Sequence, residues 1–227
     1  MSLRANLTGN MAYQAQLKGD TEKAKGLYEE ALAAGMSRVD LVDAYGVLLM
    51  KEGQFEQSIE MYGKALQLNP APSQRYTIRA HRAIAYMKIG KMTKAKAALE
   101  DIHQKQEMES IYEALGYLYI LTDDEKAISF NEKAINMYPD NVTILDNIGQ
   151  YYLEKGYPEH AKEFLLDAYE IDDEKVDVNF HLAQVAQMNG DKKKAIEYLN
   201  NAKNCTMSAL TDTRPEDIDN LLDKLLN

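Results

Sequence analysis

Residues 50–70 read MKEGQFEQSIEMYGKALQLNP, and variants of that stretch recur around Gly19, Gly90, Gly156 and Gly190. Within it Phe55, Ile59, Tyr62 and Leu66 follow one another at spacings of four, three and four, which places them on one side of an α-helix. Upstream, Val42, Tyr45, Leu48 and Leu49 form a second stripe of the same kind. Gly53 falls between the stripes, where the first helix must stop and the chain must reverse through a left-handed residue. Pro70 follows the second stripe, and the residue before a proline is driven out of the helical region. The stretch spells helix, turn, helix, stop.

The repetition has a period. Gly19 and Gly53 stand 34 residues apart, as do Gly156 and Gly190, while Gly53 and Gly90 stand 37 apart. Gly90 to Gly156 spans 66, two units of 33 whose middle glycine is replaced within LTDDEKA at residues 121–127. A fixed period in the thirties marks a repeat architecture in which each unit needs a neighbour to cover its apolar face. Asp20 and Asp191 follow turn glycines as candidate N-caps, and Pro158 suits the first turn of a helix. The first helices carry Ala12, Gly46, Ala83, Gly116, Gly149 and Ala183 in register. The second helices carry Tyr28, Tyr62, Leu99, Leu165 and Leu199 as large partners for the space those small residues leave, and Asn131 breaks the series.

With its helix-turn-helix unit, small residues in phase and terminal proline, the chain resembles the tetratricopeptide repeat (TPR) family over residues 5–209, in six units starting near Ala5, Val39, Tyr76, Glu109, Val142 and Val176. The resemblance implies an all-α fold, a right-handed α-solenoid of about six repeats in a single domain spanning residues 1–227. A C-terminal capping helix is expected over 213–227, where Ile218, Leu221, Leu222, Leu225 and Leu226 share one face and Thr213 and Glu216 have capping-box spacing. Three departures stand out. The chain has no tryptophan, NPAPSQRY at 69–76 adds three residues, and IHQKQEMES at 102–110 ends its unit without small residue or proline. The last is expected to be the weakest junction, a place for a hinge or local irregularity.

Composition removes whole classes of function. The 227 residues are 45% hydrophobic and 27% charged, the mixture of a folded chain. A formal charge of −10 has the wrong sign for gripping phosphates, so no nucleic-acid partner is expected. No apolar run is long enough to span a membrane, and the start MSLRAN lacks a secretory signal. The single cysteine, Cys205, excludes an internal disulfide. The expected location is the cytoplasm of a bacterium, or the soluble side of a membrane if an anchor precedes Met1 in the natural chain. No GxSxG, HExxH, phosphate-cradling loop or CxxC occurs, and His81, His103, His160 and His181 lie at least 21 residues apart. No catalytic residue, metal or cofactor is expected, and the chain is read as a non-enzyme.

Function then rests on surface. In the family that the chain resembles, the first helices line a concave face that holds peptides or partner helices. First-helix residues pointing away from the second helix give a candidate partner-binding set: Tyr13, Asp43, Met50, His81, Met87, Glu113, Tyr117, Ile120, Asn147, Gln150, Phe180, His181 and Gln184, with Asp146 and Leu153 beside them. Some members of the family grip a carboxylate with a clamp of Lys, Arg and Asn. Here Asp43, Glu113 and Asp146 occupy that face, so apolar or basic protein segments are the expected partners. The expectation is a non-catalytic binding scaffold or adaptor, the alternative a regulatory peptide sensor whose curvature changes with ligand. A homodimer through an uncapped first repeat is a further expectation.

Overall fold

The computed structural model describes residues 3–205 and 210–226, and those residues form thirteen α-helices and no strand. They divide into two compact units, Met1–Glu107 and Met108–Asn227. The division falls inside the 102–110 segment that lacks the small residue and proline of the other unit ends. The first unit holds three hairpins: α1 (Leu3–Leu17) with α2 (Thr21–Ala33), α3 (Val39–Lys51) with α4 (Phe55–Gln67), and α5 (Pro72–Lys88) with α6 (Met92–His103). The second holds α7 (Glu109–Leu121) with α8 (Ala127–Met137), α9 (Val142–Glu154) with α10 (Pro158–Ile171), and α11 (Val176–Met188) with α12 (Lys192–Ala202), followed by α13 (Pro215–Leu226).

All six turns close in the same way. The residue after the turn returns its amide to a carbonyl five residues back, as in Gln54 to Leu49 at 2.8 Å and Tyr157 to Tyr152 at 2.8 Å. That closure requires a left-handed residue, and Gly53 and Gly156 supply it at φ of 71° and 80°. Where the sequence lacks the glycine, Asp123 takes the left-handed conformation at φ 47°, and Asp124 still bonds Tyr119 at 2.8 Å. Aspartate is among the few residues that visit this region, so the period survives the substitution. The caps also form: Asp20 accepts from the Lys23 amide at 3.4 Å and Asp191 from the Lys194 amide at 3.0 Å.

Two local expectations are corrected. The residues added in NPAPSQRY lengthen α5 to 17 residues instead of enlarging the loop, so this helix starts at Pro72 and not near Tyr76. Proline at the first helical position is preorganised, and the Gln74 side chain reaches back to the Ala71 amide at 3.2 Å. In α13 the capping residue is Asp217, whose carboxylate accepts the Arg214 amide at 2.9 Å. Thr213 and Glu216 do not form the box, because the Thr213 hydroxyl donates to Asp177 on α11 at 2.7 Å. The helix itself lies on the last hairpin, with Ile218 and Leu222 buried among Val176, Ala183, Leu199 and Ala202.

Packing inside each hairpin follows the alternation of small and large. A Cβ on Gly46 would stand 2.5 Å from the Tyr62 ring, and one on Gly149 would stand 2.5 Å from Leu165. At the third such position of this kind Gly116 faces Asn131, which is buried yet satisfied. Its amide donates to Ala127 O at 2.8 Å and Gly116 O at 3.2 Å, and its Oδ1 accepts from Asn147 at 3.2 Å. The polar knob thus fills the notch and ties α8 to both α7 and α9.

Helical glycines should therefore respond to alanine with opposite signs. Gly26 in α2 and Gly63 in α4 have open space where a Cβ would go, and Gly→Ala at either should stabilise by about 0.5–1 kcal/mol. Gly46→Ala should cost about 1–3 kcal/mol through the forced shift of Tyr62. Urea midpoints of the three variants check the inversion; a gain at Gly46 would refute the interlocking account.

Candidate functional site

In the second unit α9 packs against both α7 and α11, so the first helices of its three hairpins lie side by side. Spacings of three and four bring Asp146, Gln150 and Leu153 to one side of α9, and Asp177, Phe180, His181 and Gln184 to one side of α11. With Tyr117 of α7 and the segment Leu210–Thr213 they border a cleft of about 270 Å³.

Its floor is an ion pair. His181 Nδ1 lies 2.7 Å from Asp146 Oδ1, and both side chains are nearly buried. Burial alone would push the His181 imidazolium pKa down, but Asp146, Asp177 and Glu154 outweigh it and raise the pKa above its ordinary value. Burial raises the Asp146 carboxyl, with His181 opposing. At the rim, burial also raises Glu154, which accepts from Gln150 at 3.0 Å. Asp177 Oδ1 receives the amides of Asp212 and Thr213 at 3.2 and 3.1 Å together with the Thr213 hydroxyl. The phenol of Tyr117 is held far above its ordinary pKa, first by burial and then by Asp212, Asp177 and Asp146.

Charge in the cleft is one-sided. Asp146, Glu154, Asp177, Asp212 and Asp217 line it, against Lys175 and His181. Lys175 is drawn to Asp172 at 3.1 Å, and Asp217 is met by Arg214 at 2.9 Å. Val142, Leu153, Val178 and Phe180 supply apolar wall. The arrangement accommodates an elongated group with an apolar body and a cationic head.

Of the candidate residues, Tyr117, Asn147, Gln150, Phe180, His181 and Gln184 line this cleft. Glu113 lies outside it and accepts from Asn141 at 2.6 Å, and Ile120 is buried at 3% exposure as packing. In the first unit Asp43 and His81 meet at 3.0 Å across α3 and α5, while Tyr13 is exposed on α1. Met50 and Met87 are buried there and pack rather than face a partner. Sequence reasoning passed over Asp177 and Glu154, although Asp177 stands four residues before His181 on the same helical side. It passed over Leu210–Thr213 as well, for which periodicity carries no signal. The first unit also gathers Arg79, Arg82 and Lys94 around Tyr86, in a depression of about 430 Å³. Arg79 is engaged by Asp101 at 2.6 Å and Arg82 by the Tyr86 hydroxyl at 2.8 Å.

Comparison with known proteins agrees with the repeat reading. Tetratricopeptide repeat profiles match residues 49–115 and 142–175. Those two segments carry tetratricopeptide repeats. Among curated proteins, the BBSome complex member BBS4 of Bos taurus is 24% identical over 151 residues, covering 66% of this chain and 28% of that protein. The chain thus spans about a quarter of the length of the BBS4 relatives it matches. PilW, a type IV pilus biogenesis factor, matches with a TM-score of 0.73 at 12% identity and covers 100% of both chains. The Cut9–Hcn1 structure matches at a TM-score of 0.74 and 15% identity over 98% of this chain and 43% of that one. At such identities these structures share the all-α helical-repeat fold. TPR proteins bind proteins or peptides and serve as interaction scaffolds. No helix among the described residues is long and apolar enough to cross a membrane.

The buried pair gives a pH dependence with a definite sign. A histidine whose pKa rises on folding adds stability that is complete below the ordinary value of 6.5 and is lost as pH climbs through the folded value. His181→Gln should thus cost about 3 kcal/mol near pH 6, and the deficit should shrink towards pH 9. Urea midpoints across that range test it, and a deficit independent of pH would contradict the ion-pair account.

Proposed function

We propose that this protein is a non-catalytic scaffold that holds a protein or peptide segment in the cleft of its second unit, and that the segment is basic with apolar neighbours. The observation that carries the reading is the ring of five carboxylates around an open cleft with apolar wall, and no ion pair forms at Asp177 or Glu154 among the described residues. A clamp for carboxylates would need the opposite charge at these positions. Among the described residues no serine or cysteine lines the cleft beside His181. A scaffold role also suits a chain that resembles a BBSome complex member and a chain of the Cut9–Hcn1 hetero-tetramer.

The test reverses charge at the rim. Glu154→Lys with Gln184→Lys should weaken binding of a lysine-rich peptide by about tenfold or more, or about 1.4 kcal/mol. Titration calorimetry against the wild type reads this directly, and equal affinity would move the binding site away from the cleft.

A second reading concerns self-association, and α1 supports it. Leu3, Leu7, Met11 and Leu17 are exposed along one side of that helix, and Arg4 is its single charged residue. An uncharged apolar stripe matches a second copy of itself without the repulsion that a net charge of −10 would otherwise bring. Sedimentation equilibrium should show dimer formation that Leu7→Glu with Met11→Glu abolishes; a concentration-independent monomer mass for the wild type would end this reading.

A further inference from the structure

The depression on the first unit has the opposite sign to the cleft. Arg79, Arg82 and Tyr86 follow at spacings of three and four on one side of α5, and Lys94 joins them from α6. Among the described residues no aspartate or glutamate lines the depression, in a chain with 36 acidic side chains against 26 basic ones. Tyr86 gathers the cations. Arg82 gives Nε and Nη2 to the same phenol oxygen at 3.0 and 2.8 Å, and the Lys94 ammonium lies 5.8 Å from the centre of the ring. A hydroxyl and a ring face hold two cations without supplying a counter-charge. Arg82 Nη1 and the Lys94 ammonium are left without a carboxylate among the described residues. Like charges held this near to one another repel, and a carboxylate set between them is attracted by both.

Arg79 shows how such a group is received at this place. Its Nη2 meets one oxygen of Asp101 at 2.6 Å while Lys105 meets the other at 2.6 Å. Lys105 first, and Arg79 with it, hold the Asp101 carboxyl below its ordinary range. The rest of the depression is apolar, with Leu66 coming from α4 and the short side chains of Ala97 and Ala98 on α6 leaving room beside it. Its volume of about 430 Å³ is more than a lone carboxylate fills.

We propose that this depression is a second binding site, for an acidic segment of a partner protein that sets a carboxylate against Arg82 and Lys94 and an apolar side chain against Leu66, Ala97 and Ala98. Charge decides the occupant: a basic segment is repelled here and attracted in the cleft, so the two sites select partners of opposite sign. The inference is independent of the cleft reading, since the two sites share no residue. A chain with both joins two different partners, which is the work of a scaffold.

The full chain labelled with ¹⁵N and the peptide acetyl-GEDLFEDG-amide test this. Titration should shift the Nε–H signal of Arg82 and saturate with a Kd of about 1 mM or tighter. The control peptides acetyl-GQNLFQNG-amide and acetyl-GEDSSEDG-amide remove the charge and the apolar pair in turn, and each should bind about tenfold more weakly or worse. Arg82→Gln with Lys94→Gln should weaken the acidic peptide by about tenfold or more, and Lys94→Gln alone by about threefold. Lys94 is exposed, so the single variant keeps the test decisive even where loss of Arg82 unsettles α5. Equal binding of the neutral peptide, unchanged affinity in both variants, or no shift of the Arg82 signal at about 5 mM peptide would each overturn the proposal. A wild-type dimer that the double variant turns into a monomer would overturn it too, by giving the depression to a second copy.

Discussion

Each hairpin depends on a large side chain of the second helix entering the notch left by a small residue of the first. Tyr62 on Gly46 and Leu165 on Gly149 show the contact at van der Waals limits, with no room for even one methyl group. Helices brought this close form a two-layered unit whose remaining apolar stripes must be covered by the next hairpin. The cluster around Leu145, Leu165, Val178 and Leu182 is such a layer, shared between α9, α10 and α11. Close packing on this side confines the polar side chains of the first helices to the opposite one.

That confinement is what makes a cleft possible. On α11 the residues facing α12 include Ala183, while His181, Gln184 and Asp177 are left to the far side. A polar group there must be solvated, paired or offered to a partner, since an unpaired buried charge is costly. Asp146 and His181 solve the problem by pairing, Glu154 by turning to Gln150, and Asp177 by taking donors from Leu210–Thr213's end of the chain. Only the first of these arrangements brings a cation to a carboxylate, and so the cleft keeps its negative field.

Much of the hairpin architecture could be read from residue order. Val39, Glu109, Val142 and Val176 were expected as unit starts and each opens a helix, because a stripe at helical spacing leaves little freedom in where a helix begins. Pro72 shows the limit of such counting: three added residues change the period in the same way whether they enter a loop or a helix. Asn131 shows another. Its place in the series was legible as an exception, but its bonds to Gly116, Ala127 and Asn147 depend on three helices meeting around it.

For the site the division runs along the same line. Tyr117, Asn147, Gln150, Phe180, His181 and Gln184 were marked by spacing, which fixes the side of a helix on which a residue lies. Spacing says nothing of depth, and so Met50, Met87 and Ile120 were marked equally although packing buries them. Nor can it foresee that Asp212 and Thr213 come to Asp177 from about 35 residues away, or that Asp146 finds His181 across two helices. The sequence by itself determined the repeat, its turns and its charge, which are local or additive properties. Tertiary structure alone decided which carboxylates share one cleft and which segment lies in it, because both depend on how distant parts of the chain pack.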